Sequence, residues 1–196
     1  MSRFLDRLQA GEPVTLSALG DSLTYGYMVR QGYLEMVTAQ LRNSHPGCQL
    51  TVRNHGHCGD TIYGGSARAE EAFAPPRPDL AFIEFGLNDC FQGMPPTYFE
   101  KSLQQLVNWC RTHAPTMELL LLPPIPIEPP EFDRAAEPFR TAYATVATVA
   151  GIAMVDFKQP WQMATASPLW QADGVHPTEA GYRVMAEAVL DALADM

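Results

Sequence analysis

A serine hydroxyl becomes an effective nucleophile only when a neighbouring base takes its proton, and an imidazole keeps the right tautomer only when a third group holds it. This chain offers those three groups near its two ends. Gly20-Asp21-Ser22-Leu23 closes the first apolar run, and Asp173-Gly174-Val175-His176 supplies an acid and an imidazole that a Gly-containing turn can set side by side. Two short blocks lie between them, Asn54-His55-Gly56-His57-Cys58-Gly59-Asp60 and Gly86-Leu87-Asn88-Asp89. They offer a backbone amide at Gly59 and a side-chain amide at Asn88, which with the Ser22 amide suit the negative oxygen of a tetrahedral intermediate. Asp21, Asn54 and Asp89 are expected to hold turns through backbone hydrogen bonds.

The four blocks, in this order and spacing, resemble the GDSL esterases and lipases of the SGNH hydrolase superfamily, and the resemblance runs from Gly20 to Pro177. It implies Ser22, Asp173 and His176 as catalytic residues, and Ser22, Gly59 and Asn88 as oxyanion donors. It also implies a flavodoxin-like three-layer α/β/α sandwich. Two departures from the family pattern bear on substrate preference: Leu87 stands where members often have a small residue or threonine, and His57 and Cys58 stand among usually apolar or small residues. The reading is a serine esterase acting on small or short-chain acyl esters through an acyl-enzyme, without a cofactor. On this reading the rate rises with pH as His176 loses its proton.

Alternatives are an acyl-CoA thioesterase or lysophospholipase, a carbohydrate O-acetylesterase, an acyltransferase, or a non-catalytic binding domain. A metal-dependent hydrolase is a further rival, because His55, His57, Cys58 and Asp60 crowd six residues and Asp89 or His176 would complete a zinc site. Such a site would leave Ser22 and Asn88 without a role, so no metal is assigned. Tyr25, Tyr27, Tyr63, Phe91, Ile125 and Trp170 fall in or beside the loops expected at the mouth and are candidate substrate contacts.

The elements that must position these groups follow from hydrophobic pattern. Apolar runs read as strands at Val14 to Leu19, Gln49 to Arg53, Leu80 to Phe85, Leu119 to Leu122 and Ile152 to Val155. Helical periodicity falls at Gln31 to Asn43, Ile62 to Phe73, Tyr98 to Thr112 and Glu137 to Ala150. A last helix opens after His176 with Pro177 in its first turn and buries Met185, Ala188, Val189 and Ala192. Strands alternating with helices predict an α/β fold with a parallel sheet of about five strands. The chemical blocks then follow strands, at the carboxyl edge where open parallel sheets bind ligands. The segment Pro123 to Pro130 is expected to be a stiff loop, because proline lacks the amide donor and fixes φ.

The 196 residues read as a single domain, 1–196, with 46% apolar and 18% charged residues, which excludes disorder. A net charge of −9 without a basic cluster argues against nucleic acid and anionic membrane partners, leaving a small-molecule ester. No secretory signal is visible from Met1 to Ala10, so a cytoplasmic location is expected. Cys48, Cys58, Cys90 and Cys110 lack metal-finger spacing and are expected to be free, with Cys58 and Cys90 buried as small apolar groups. Oligomeric state does not follow from the sequence.

Overall fold

Strands covered on both faces need continuous apolar runs, and the five runs of this chain form one parallel sheet in the computed structural model. The structure describes residues 2–128, 130–165 and 167–196. In chain order the elements are α1 (Arg3–Gln9), β1 (Pro13–Gly20), α2 (Ser22–Tyr25), α3 (Tyr33–Ser44), β2 (Gln49–Gly56), α4 (Ile62–Ala72) and β3 (Leu80–Glu84). They continue with α5 (Leu87–Phe91), α6 (Pro96–His113), β4 (Glu118–Leu122), α7 (Pro130–Ala150), β5 (Ala153–Met154), α8 (Lys158–Met163) and α9 (Glu179–Ala194).

The strand order is β2-β1-β3-β4-β5, so the winding reverses between β1 and β3. Period-two alternation divides each strand between two cores. Leu16, Leu80, Phe82, Leu120 and Leu122 face one core, shared with Phe4, Leu34, Tyr182 and Val189 from α1, α3 and α9. Leu19, Ala81, Ile83, Leu119 and Leu121 face the other, shared with Ala69, Leu103 and Tyr143 from α4, α6 and α7. The result is the expected α/β/α sandwich.

Four of the departures from the sequence reading have a clear local reason. β2 runs on through Asn54, His55 and Gly56, because Ala18, Leu19 and Gly20 pair with them despite their polarity. Arg3–Gln9 forms a helix that its short apolar signal of Phe4 and Leu8 did not announce; the Glu118 side chain accepts from the Arg3 and Phe4 amides at 3.0 and 2.7 Å. α7 begins at Pro130, a position where a missing amide costs little, and carries Pro138 inside it. The rest of the proline-rich stretch up to Glu128 is irregular as expected, while Pro129 lies outside the described residues. Pro177 precedes α9 instead of entering it: it bridges Trp170, and Thr178 caps the helix by accepting from the Gly181 amide at 3.3 Å. In α9, Met185, Ala188 and Val189 are buried, but Ala192 is only partly so, and Leu193 takes the core position. Among the described residues no helix is long and apolar enough to cross a membrane.

Candidate active site

β1 ends at Gly20 and the chain turns at once into α2, which leaves Ser22 at the carboxyl edge where the winding reverses. Asp21 caps that turn, its Oδ1 accepting from the Leu23 amide at 2.9 Å. The turn lies so close to β2 that a Cβ on Gly56 would stand 2.2 Å from the Tyr25 nitrogen, so only glycine fits. Asn54 ties the same two segments, donating to the Thr24 carbonyl at 3.0 Å while its Oδ1 accepts from the Gly56 amide at 2.9 Å.

His176 arrives from the other end of the chain, with Nε2 2.9 Å from Ser22 Oγ and Nδ1 2.7 Å from Asp173 Oδ2. The other Asp173 oxygen accepts from the Val175 and His176 amides, each at 2.9 Å. Partial burial works against the Asp173 charge, but the bonds from the His176 ring and the two amides outweigh it and hold the carboxyl below its usual range. An ionised acceptor makes Nδ1 the protonated nitrogen and leaves Nε2 to accept from the serine.

Ser22, Asn88, Asp173 and His176 line one cavity of about 200 Å³, walled also by Leu23, Leu87, Phe91 and Val175. A larger groove of about 570 Å³ lies between α8 and α9 among Arg183, Glu187 and Asp191, away from these groups. Asn88 Nδ2 donates to Asp21 Oδ2 and to the Asp60 carbonyl, both at 3.0 Å. Both of its hydrogens are therefore engaged, and an incoming oxyanion competes for one of them. Gly59 precedes Asp60 in the turn after β2, with φ of +77° and no neighbour crowding it. That turn is clamped by Arg68, which ion-pairs with Asp60 and donates to the His55 carbonyl at 3.1 Å.

The aromatic candidates separate. Phe91 lies on the cavity wall, edge-on to Phe132 with centroids 6.1 Å apart, and the Tyr27 ring packs on His176 at 4.4 Å. Tyr25 and Tyr63 are exposed, outside that cavity. Two expectations are corrected. Ile125 is wholly buried, because the Arg140 guanidinium draws its carbonyl inward at 2.7 Å and the side chain joins the core. Trp170 packs on Trp161 and donates from Nε1 to the Pro126 carbonyl at 2.9 Å, away from the cavity.

All four cysteines are free. Cys58, expected to be buried, is exposed because it sits on the projecting turn after β2. Burial pushes the Cys90 thiol up from its usual value. Burial also lowers the affinity of His55 for a proton, against the pull of Glu71 and with the push of Arg68 and Arg53. Among the described residues no three His, Cys, Asp or Glu side chains converge as a metal site would require.

Three supporting residues were missed by sequence reasoning. Gln171 donates to the Tyr27 and Pro177 carbonyls at 3.1 and 2.9 Å, and its amide to the His176 carbonyl at 2.8 Å, so it fixes the histidine loop from three sides. Tyr27, one of the aromatics expected beside the mouth, covers the imidazole. Arg140 reaches the Pro124 and Ile125 carbonyls, and Glu84 lies beneath the Ser22 turn. Only Glu84 carried a readable signal: a carboxylate closing a strand otherwise built of Leu80, Ala81, Phe82 and Ile83.

Comparison with known proteins gives three findings. The model of the GDSL-like Lipase/Acylhydrolase family matches residues 18–184. Esterase TesA of Pseudomonas aeruginosa is 31% identical over 177 residues, covering 89% of this chain and 85% of that protein, and a crystal structure of TesA superposes with a TM-score of 0.78 at 30% identity over 91% of this chain and 97% of that one. The acetylxylan esterase of Geobacillus stearothermophilus is 27% identical over 175 residues, covering 81% of this chain and 79% of its own.

Proposed function

The chain belongs to the GDSL-like lipase/acylhydrolase family and is a carboxylic ester hydrolase, and from that premise we propose that it cleaves small or short-chain acyl esters through an acyl-enzyme on Ser22. The observation that carries this reading is the continuous relay from Ser22 Oγ through the two His176 nitrogens to Asp173, at 2.9 and 2.7 Å.

Ser22 Oγ attacks the ester carbonyl while His176 Nε2 takes its proton, and Asp173 stabilises the imidazolium that forms. The tetrahedral oxygen is held by the Ser22 and Gly59 amides and by Asn88, one of whose hydrogens turns from Asp60 or Asp21 to the substrate. The intermediate collapses, the ester C–O bond breaks, and His176 gives the proton to the departing alcohol. Water then gives a proton to His176 as its oxygen attacks the acyl carbon. The second collapse breaks the bond to Ser22, which regains the proton from His176 as the carboxylic acid leaves.

The cavity of about 200 Å³ favours short acyl groups, and the likeness to an acetylxylan esterase supports acetyl esters, including those of sugars, among them. The test is hydrolysis of a p-nitrophenyl ester series from acetate to long chains, with a chelator control. Ser22→Ala or His176→Ala is expected to lower kcat by about 10⁴ or more, and Asn88→Ala by about 10² to 10³. Wild-type turnover by Ser22→Ala would remove the serine mechanism. Loss of activity to chelator alone would return the reaction to His55 and His57.

A further inference from the structure

Two carboxyl side chains, Asp21 within the nucleophile turn and Glu84 beneath it, are each about 1% exposed, and the reaction uses neither. Glu84 closes β3 opposite Gly20 of β1. Its Oε2 accepts from Thr24 Oγ1 at 3.0 Å and more weakly from the Asp21 amide at 3.4 Å, so one oxygen gathers both ends of the turn that carries Ser22. Thr24 Oγ1 is backed by the Tyr33 hydroxyl at 3.0 Å. Glu84 Oε1 is buried and has no hydrogen-bond partner. The carboxyl of Asp21, whose own backbone amide reaches Glu84 Oε2 at 3.4 Å, accepts from Leu23 and Asn88.

The groups facing the pair from neighbouring elements are Asp89 of α5, Tyr33 of α3, Tyr143 of α7 and Tyr182 of α9. None carries a positive charge, and among the described residues no Arg, Lys or His forms an ion pair with Asp21 or Glu84. Two adjacent carboxylates sealed from water with no cation repel each other and lose their hydration together, whereas one retained proton removes both penalties and bonds them. We propose that Glu84 is a positioning residue for the Ser22 turn, and that it works with Asp21 as a carboxyl pair sharing one proton and carrying one negative charge between them. The proposal rests on Ser22 being the nucleophile. Burial and the neighbouring carboxylate push Asp21 well up, and burial raises Glu84 as well, in agreement with a shared proton.

The pair has a functional consequence. When the shared proton leaves at alkaline pH, repulsion moves the Asp21 turn away from the end of β3. Ser22 then shifts from His176, and Asn88, bonded to Asp21 Oδ2, shifts with it. The loss falls on kcat, because the groups displaced are those that act on the reacting atoms.

Glu84→Gln separates this arrangement from a merely structural one. Its carbonyl still accepts from Thr24 and its amide donates to an ionised Asp21, which reproduces the shared-proton state with nothing left to titrate. Infrared spectra near pH 8 are expected to show a protonated-carboxyl band in the wild type that Glu84→Gln lacks. The wild type is expected to lose kcat on the alkaline side and Glu84→Gln not to, with kcat near neutral pH within about threefold of wild type for Gln and at least tenfold lower for Glu84→Ala. A wild-type spectrum without the band overturns the proposal and needs no variant. So does a band that persists in Glu84→Gln, an alkaline loss shared by both proteins, or a Gln variant as impaired as Ala. Turnover by Ser22→Ala would defeat the serine reading and with it the positioning role of Glu84, whereas absence of the band alone would defeat the shared proton and leave the serine reading standing.

Discussion

At the scale of single residues, the proposed reaction divides the polar groups into those that would touch the reacting atoms and those that hold them. Asp89 belongs to the second kind, as expected: its Oδ1 accepts from the Ile62 amide at 3.0 Å, while Oδ2 is buried without a partner. Burial raises its carboxyl from the ordinary 3.8 to about 6, with the Ile62 amide pulling the other way. The folded chain therefore holds this proton more tightly than the unfolded one. The stabilisation is complete below about pH 4 and is lost as pH rises through about 6, with a span of about 2 to 3 kcal/mol. Asp89→Asn keeps an acceptor for Ile62 and cannot ionise. Its stability relative to wild type is expected to improve between pH 4 and pH 7, and a constant difference in Tm across that range would contradict the assignment. Ser22, His176, Asp173 and Asn88 stood out only as a set, each block alone being ordinary turn or cap chemistry, and the structure brings the four to one cavity. Gln171 and Arg140 did not stand out, because they act through backbone carbonyls of segments remote in sequence, and one-dimensional order says nothing about which carbonyls need a donor.

At the scale of elements, the strands were legible to within a few residues, since a buried parallel strand must be apolar throughout. The ends were not, because pairing partners decide them, as Gly20 decides the end of β2. The irregular stretch between β4 and α7 shows what an apolar pattern cannot convey. Arg140, its side chain only 11% exposed, donates to the Pro124 carbonyl at 2.9 Å, the Ile125 carbonyl at 2.7 Å and the Asp133 carbonyl at 3.2 Å, and pairs with Asp133 and Glu137. The stretch it anchors then holds the acid loop, with the Glu128 amide donating to the Gly174 carbonyl at 2.7 Å. Arg140→Ala leaves three carbonyls without that donor and is expected to cost about 2 to 4 kcal/mol in urea unfolding. It should also lower kcat, since Asp173 loses its support. Undiminished stability would show that water replaces the guanidinium.

At the scale of the whole molecule, fold class was readable because alternation of strand and helix has few solutions, and a net charge of −9 was readable by counting. That charge repels anions over roughly 8 Å at physiological ionic strength. Raising salt is expected to increase kcat/KM for a negatively charged ester and to leave a neutral ester of the same acyl chain nearly unaffected. Equal responses would show that the local field at the cavity mouth does not follow the overall charge.

The bond between Ser22 and His176 joins residues 154 positions apart. Ribosomes release a chain from its amino end, so the serine emerges long before the imidazole that activates it. On the proposed roles, a nascent or prematurely terminated chain carries a mute hydroxyl. On those roles, cleavage waits until the segment carrying His176 has folded against the end of β1.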